Sequence, residues 1–332
     1  MITTSKLTAK ILYLGGYGRS GSTLLGRVLG EPAGAVCVGE TRYVWSRGLL
    51  HNVDCGCGAP FRSCPFWSAV GDEAFGGWER IDAERLAEVD RVMNLLARLP
   101  LYLAPRLRPS LRAAIDDYTA RLAALYAAIS SVSGADTIIE TSKDPTFAYL
   151  LARIPQSDVR IVHLVRDSRA VAYSYTRKRR LPSPIGEQQF MPQFSPSDTA
   201  VRWSLWNTGF HMLRAAHFPY LRLTYESFVA DPRGVLSELS AFADKPLLPP
   251  DSQVTDTEVR LGDHHIFSGN PMRATTGWLP IRLDSEWQTA LSTAQLAKVT
   301  AITWPLQRLY GYPIVRKTRS AAGTGADGGQ PG

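Results

Sequence analysis

Residues 15–25 read GGYGRSGSTLL and follow directly on the apolar run Ile11, Leu12, Tyr13 and Leu14. A glycine-rich turn that leaves a strand and opens a helix aims successive backbone N–H groups at one point, which suits it to phosphate. Gly16-x-x-x-x-Gly21 fits the first half of a P-loop, but Ser22 and Thr23 stand where Lys and then Ser or Thr are required. The fixed cation is instead Arg19, two residues before Gly21. An anion held by Arg19, Ser20, Gly21, Ser22 and Thr23 meets its charge from the loop rather than from the helix. That arrangement suits a 5′-phosphate carrying one transferable group, because the lysine that reaches the outer phosphates of ATP is missing.

Three further stretches carry residues of the same chemistry. VGETRYVW (38–45) places Glu40 and Arg42 just past an apolar run, and ETSKDP (140–145) does the same for Lys143. In VHLVRDSRAVAYSY (162–175), Arg166 ends an apolar run and Ser174 follows eight residues later. A glutamate at Glu40, in the first turn of a helix, would be favoured by the helix dipole alone. Arg42 fits an acidic acceptor, a partner for Glu40, or a plain surface arginine.

These residues need elements to hold them. Short apolar, β-branched runs occur at 11–15, 35–38, 137–141, 160–165 and 220–224, with helical patterns between them. The alternation predicts an α/β fold with a parallel sheet of about five strands flanked by helices. In such a sheet ligands bind at the carboxyl ends of the strands, where all four stretches lie. Between the second and third runs, residues 51–132 read as a helical cap. Its part from 82 to 132 has Leu and Ala at helical spacing, broken by Pro100, Pro105 and Pro109, and predicts two helices joined by a proline-rich bend. Residues 1–319 form one domain in this reading. The stretch 181–196 has the composition of a loop over a cleft, and the tail 320–332 has nothing apolar to bury and is expected to be disordered.

The net charge of +7, from 37 basic and 30 acidic residues, serves solubility and anionic ligands. The basic residues form no stripe, so no nucleic-acid partner is expected. No run is long and apolar enough to span a membrane, and the start lacks the features of a signal peptide, so a cytoplasmic protein is expected. Cys55, Cys57 and Cys64 cluster in DCGCGAPFRSCPFW. A structural metal site is one reading, but the spacing is not the usual Cys-x-x-Cys pair and no fourth ligand is evident. The simpler reading packs the thiols against Phe61, Phe66 and Trp67, so no metal is assigned. The six histidines show no metal spacing; His264 and His265 are merely adjacent.

Taken together, the motifs resemble the sulfotransferases that use 3′-phosphoadenosine-5′-phosphosulfate (PAPS). GRSGST resembles the loop that holds the 5′-phosphosulfate, RDSRAVAYS the Arg-then-Ser signature for the 3′-phosphate, and LRLTYESFVADP a Tyr-Glu segment that follows in such enzymes. GRSGST with GETR and SKDP is similar to the protein-tyrosine sulfotransferase branch. The resemblance implies a P-loop-like sulfotransferase fold, with Glu40 as the base and Arg19 and Lys143 facing the sulfuryl group. It implies Arg166 and Ser174 on the 3′-phosphate, with Tyr225 and Arg273 as weaker contacts there, and SGNPMR (268–273) as a late anion-binding loop. Tyrosine sulfotransferases carry an anchor and none is expected here, so the resemblance does not extend to their acceptor. A small molecule, glycan or lipid hydroxyl stays open, with Trp45, Trp67, Trp78, Tyr102, Phe190 and Phe194 as candidate pocket residues. A P-loop kinase or NTPase, or a non-catalytic adenine-nucleotide-binding module, is the alternative.

Overall fold

The computed structural model describes residues 9–104, 106–180, 190–251 and 253–314. Five strands form one parallel sheet: β1 (Lys10–Gly15), β2 (Ala35–Gly39), β3 (Thr137–Lys143), β4 (Asp158–Val165) and β5 (Tyr220–Thr224). They correspond one for one to the five apolar runs. The order is β2-β3-β1-β4-β5, so β1 lies at the centre and its loop opens at the carboxyl edge between neighbours on both sides. β1 is buried along its whole length, which is why its sequence runs apolar without alternation.

Helix α1 (Ser22–Leu29) follows β1. After β2 the chain turns through a π-helical stretch, Val44–Leu50, and enters the cap: α2 (Pro65–Phe75), α3 (Ala83–Met93), the single turn α4 (Leu99–Tyr102) and α5 (Pro109–Ser133). The two helices expected over 82–132 are α3 and α5, with α4 in the bend. Pro100 and Pro109 stand in the first turns of α4 and α5, where a missing N–H costs nothing, so they start helices rather than break them. The cap buries its apolar faces with β1 and β3 in one continuous core that includes Trp45, Trp67, Tyr102 and Tyr126. Trp45, Trp67 and Tyr102 are therefore core residues and not pocket walls.

Beyond β3 come α6 (Pro145–Ala152), α7 (Ser168–Thr176), α8 (Pro196–Ala215), α9 (Tyr225–Ala230) and α10 (Pro232–Ala243). An antiparallel hairpin, β6 (Glu258–Leu261) and β7 (Gly277–Pro280), has four-residue strands too short to stand out in the sequence. Helices α11 (Trp287–Ala290) and α12 (Thr293–Tyr310) complete the described chain, and α12 packs across α7 and α8. Among the described residues, no helix is long and apolar enough to cross a membrane. Residues 181–189 of the expected cleft loop and the tail 320–332 lie outside the described residues.

The cysteine loop differs from expectation. Phe61 and Trp67 stack beside it as foreseen. His265, however, arrives from the segment after β6 and brings its imidazole within 4.8 Å of the thiols of Cys55, Cys57 and Cys64, a juxtaposition that sequence spacing did not reveal.

Candidate active site at the carboxyl edge of the sheet

The loop after β1 is held in a shape that requires its glycines. Gly16 has φ +131, and a Cβ there would sit 2.2 Å from the Leu164 carbonyl oxygen. Gly21 has φ +91, and its Cβ would strike the Tyr225 ring at 2.3 Å. Gly21 is also the N-cap of α1, which has no side-chain cap and no acidic residue in its first turn. The N–H groups of that turn therefore face the loop's concave side with no internal acceptor.

Arg19 occupies this concavity. It is buried, and among the described residues neither its Nε nor its two Nη atoms has a hydrogen-bond partner; nor do the hydroxyls of Ser20 and Ser22. The Tyr175 ring lies 5.4 Å from the guanidinium carbon. Burial lowers the pKa of Arg19, as expected for a cation taken out of water without a counter-ion. Arg19 (φ 69) and Lys143 (φ 70) both adopt the left-handed backbone region, a costly conformation for non-glycine residues that concentrates at functional sites.

The ends of β2 and β3 are pinned together by a buried carboxylate. Glu140 accepts hydrogen bonds from Thr41 Oγ1, Tyr126 Oη, the Ser142 hydroxyl and the Ser142 N–H. Thr41 and Ser142 each neighbour a site residue, so this knot sets Glu40 beside Lys143. Lys143 Nζ donates to Glu40 Oε1 and to the Thr141 carbonyl oxygen (3.0 Å). Ser268 Oγ donates to Glu40 Oε2 at 3.3 Å, and Arg47 Nη1 stands 3.9 Å from the same oxygen. Burial pushes the Glu40 pKa up, but the charges of Lys143 and Arg47 and the hydrogen bonds from Lys143 and Ser268 outweigh it. The net shift is downward, and the carboxyl is held below its ordinary range.

Arg42 does not reach Glu40. Its Nη1 is paired with Asp144 Oδ2 and its Nε lies 3.4 Å from Asp90 Oδ2, while its backbone N–H donates to Ser142 Oγ at 3.2 Å. Asp144 also accepts from Trp206 Nε1 (3.1 Å), and Asp90 from Tyr118 Oη (2.6 Å). The guanidinium is paired with two carboxylates, Asp144 just past β3 and Asp90 from the cap, while Arg42 still lines the cavity. The cation nearest Glu40 after Lys143 is Arg47, which sequence reading missed. It lies on the π-helical stretch, over the Tyr43 ring at 4.2 Å, and donates to Ser268 Oγ at 2.9 Å.

Arg19, Ser22, Thr23, Glu40, Arg42 and Lys143 line one cavity. Its wall also carries the aromatic rings of Tyr17, Tyr43, Tyr175, Phe194 and Trp206, with Gly269, Asn270 and Met272 of the SGNPMR segment at one side. Of the aromatic residues first considered, Phe194 alone is on this wall, and Trp78 packs against Phe61 and Phe75.

Arg166 stands behind the loop, outside the cavity wall. Its Nη1 donates to the Arg19 carbonyl oxygen at 3.1 Å, and its guanidinium carbon lies 4.9 Å from the centre of the Tyr225 ring. Tyr225 thus touches both Gly21 and Arg166, while Ser174 is buried on α7. Asp167 caps α7 and is gripped by Arg169 through Nε (3.0 Å) and Nη2 (2.6 Å). Arg273 departs from expectation: it is buried, and Nη1 donates to the carbonyl oxygens of Asp54 (3.0 Å) and Ile266 (3.3 Å). It stitches the cysteine loop to the 266–270 segment rather than joining Arg166. His163 is a core residue, bonded to Tyr220 and Asn207, with its pKa pushed down to about 3 by burial.

Comparison with known proteins gives this site a context. Among solved structures, the chain is similar to the sulfotransferase domain of the olefin synthase from Synechococcus PCC 7002. The identity is 21% and the TM-score 0.51, over 94% of this chain and 98% of that one. It is also similar to a sulfotransferase domain from the curacin biosynthetic pathway, at 16% identity and TM-score 0.51 over 93% and 99% of the two chains. At these identities the likeness establishes the shared fold. No curated protein matches the chain. Residues 12–249, which include the loop, Glu40, Lys143, Arg166 and Tyr225, match the profile of the sulfotransferase family, and the chain belongs to that family.

Proposed function

We propose that the protein moves the sulfuryl group of PAPS to a hydroxyl of an acceptor, with adenosine 3′,5′-bisphosphate as the other product. The observation that carries this reading is the buried, hydrogen-bond-free guanidinium of Arg19. It lies at the uncapped start of α1, in the same cavity as the Glu40–Lys143 pair. A charge buried without a partner is strongly unfavourable unless something pairs with it, so the cradle fits an anionic ligand. The unpartnered hydroxyls of Ser20 and Ser22 fit the same anion.

PAPS supplies an activated sulfuryl group on a 5′-phosphate. In this reading Arg19, the N–H groups of residues 20–23 and the hydroxyls of Ser22 and Thr23 hold that phosphate. They also neutralise the charge that grows on the leaving oxygen, the largest single electrostatic contribution to such a transfer. Lys143 serves the sulfuryl oxygens. Drawn towards that group, Lys143 loosens its hold on Glu40, whose basicity rises just where an acceptor hydroxyl must lose its proton. Glu40 keeps Ser268 and Arg47 as partners and so stays aimed. Arg166 and Ser174, with Tyr225 between Arg166 and the loop, grip the 3′-phosphate. Arg42 holds the floor through Asp144 and Asp90 and acts as a positioning residue. The aromatic wall suits a small-molecule, lipid or glycan acceptor with an apolar or ring-bearing face.

A kinase or NTPase reading lacks the P-loop lysine, and Asp167, the acid nearest the nucleotide motif, is held by Arg169. A pure binding module gives no role to Glu40 beside Lys143. The test is transfer of labelled sulfuryl from PAPS into a host metabolite extract, with the product read by mass spectrometry. Thermal stabilisation by adenosine 3′,5′-bisphosphate is compared with ATP and Mg²⁺ on the same preparation. Stabilisation by ATP with Mg²⁺ alone, and no labelled product, sinks the proposal.

A further inference from the structure

Two segments about 200 residues apart bring three thiols and an imidazole to one point. Cys55, Cys57 and Cys64 come from the loop between the π-helical stretch and α2, and His265 comes from the segment after β6. Cys57 Sγ lies 3.5 Å from Cys64 Sγ, and His265 Nδ1 lies 3.3 Å from Cys64 Sγ and 3.7 Å from Cys55 Sγ. All four ligand atoms fall within 4.8 Å of one another. A tetrahedral ion with metal–sulfur bonds of about 2.3 Å and metal–nitrogen bonds of about 2.0 Å sets its sulfurs about 3.8 Å apart and its sulfur–nitrogen edges at about 3.6 Å. Three of the six edges, at 3.3, 3.5 and 3.7 Å, are close to these lengths.

The surroundings hold this arrangement in place. Phe66 stacks on the His265 ring, with centroids 4.9 Å apart and planes 11° from parallel. Trp67 Nε1 donates to the His265 carbonyl oxygen (2.7 Å), and the Gly56 N–H donates to the Ile266 carbonyl oxygen (2.9 Å). Arg273 binds Asp54 and Ile266 together from the other side. Cys55 and Cys64 are buried and Cys57 is exposed, which leaves an entry path past Cys57.

We infer that Cys55, Cys57, Cys64 and His265 bind one Zn²⁺ as a structural clip. The donor set of three sulfurs and one nitrogen in a tetrahedron is soft and selects zinc over the oxygen-seeking Mg²⁺ and Ca²⁺. Four protein ligands leave no open coordination position, so the ion serves the fold and not the chemistry. Its consequence for the site follows from chain distance. Ser268 is three residues beyond His265 and bonds Glu40, and Gly269 lines the cavity. Fixing His265 to the cap loop therefore fixes the segment that closes over the carboxylate.

The full chain, purified without chelator or affinity metal, tests this by elemental analysis and by zinc release on mercurial titration. One zinc per chain is expected, with X-ray absorption showing three sulfurs and one nitrogen in the coordination shell. Replacement by Co²⁺ should give the intense visible bands of a tetrahedral thiolate site. Cys64→Ser and His265→Ala should each weaken zinc binding by more than about a hundredfold, beyond what loss of a supporting contact does. Cys37→Ser, remote from the cluster, should keep full occupancy. Co²⁺ uptake by the wild-type chain keeps the inference testable if the variants fail to fold. Wild-type protein that carries no zinc and takes up neither Zn²⁺ nor Co²⁺ at micromolar concentration overturns it. So does a Cys57–Cys64 disulfide in its place.

Discussion

Arg19, buried, and Arg42, part-buried, are both cations on the wall of one cavity, and they differ in what they touch. Arg42 is paired with Asp144 and Asp90, and those carboxylates are tied in turn to Trp206 and Tyr118. Arg19 has an aromatic face beside it and, among the described residues, no hydrogen-bond acceptor for its guanidinium. A buried ion pair that is complete within the protein fixes geometry, whereas a buried charge left incomplete is a place kept for a ligand. Arg273, satisfied by two carbonyls, belongs with Arg42. The difference sorts the cavity into residues whose loss should damage chemistry or binding and residues whose loss should damage the fold.

Glu40 is the sharpest case, because its pairing with Lys143 could place it in either class. If it is the base, Glu40→Gln keeps shape and removes basicity. Turnover should then fall by ~10²–10⁴, or about 2.7–5.5 kcal/mol of barrier. Affinity for adenosine 3′,5′-bisphosphate should stay near wild type. A sulfate-transfer assay and calorimetric titration on one preparation measure both. A variant that keeps its turnover but melts early would move Glu40 into the class of Arg42.

The two arginines themselves should part in opposite directions. Arg42→Met leaves Asp90 and Asp144 buried without their cation, and breaking a buried pair in this way costs about 3–5 kcal/mol. Arg19→Met removes a desolvated charge that has no partner, so the free protein should melt at the same temperature or higher. The same variant should lose its stabilisation by adenosine 3′,5′-bisphosphate. Equal destabilisation by both substitutions, in thermal or urea unfolding, would erase the distinction.

The two classes were not equally legible in the sequence. The loop, the five strands and the placement of Glu40, Lys143 and Arg166 at strand ends are local features. A buried strand must be apolar, and a phosphate turn must have glycine where φ is positive, so both write themselves into a few adjacent residues. What Arg42 and Arg273 touch is decided by chain segments far away. Asp90 comes from α3, and the Asp54 and Ile266 carbonyls come from two loops. His265 likewise lies 201 positions from Cys64, and its spacing carries no trace of the thiols it meets. Arg47 left little signal, because a π-helical turn after GETR is set by packing of Trp45 into the cap and not by a pattern in the residues. The same holds for Glu140, whose knot of hydroxyls looks in sequence like any polar residue ending a strand.

Arg166 extends the comparison to the far side of the loop. It touches the Arg19 carbonyl and the Tyr225 ring but no carboxylate is paired with it among the described residues, which groups it with Arg19. Arg166→Ala should weaken adenosine 3′,5′-bisphosphate by ~1.5–3 kcal/mol, the range for a hydrogen bond to a charged group. Adenosine 5′-phosphate should bind almost as before. Equal loss for both nucleotides would remove Arg166 from the 3′-phosphate.

The smallest effect, and the one that tests the Glu40–Lys143 pair most directly, is in pH. Burial favours the protonated form of Glu40, and the charges of Lys143 and Arg47 with the hydrogen bonds from Lys143 and Ser268 reverse it, so the folded pKa lies below the ordinary value of 4.5. In the unfolded chain the group titrates at its ordinary value. The stabilisation from this carboxylate is therefore fully present at neutral pH and is lost only as pH falls through the depressed folded pKa. The same proton governs the free enzyme's base, so the acid limb of kcat/KM should lie below pH 4.5 in the wild type. Lys143→Met removes the largest favourable charge and leaves burial opposed by Arg47 and Ser268. The Glu40 pKa must then rise, and the acid limb must move to higher pH on top of the loss in rate. Asp90 shows how strong burial is nearby: it outweighs Arg42 and the Tyr118 hydrogen bond, and the pKa is pushed up to about 6. Profiles of kcat/KM at constant ionic strength for both proteins carry the test. A limb that stays where it was would mean that Lys143 does not set the basicity of Glu40. The pair would then be a structural bridge like that of Arg42, and another group would have to take the proton.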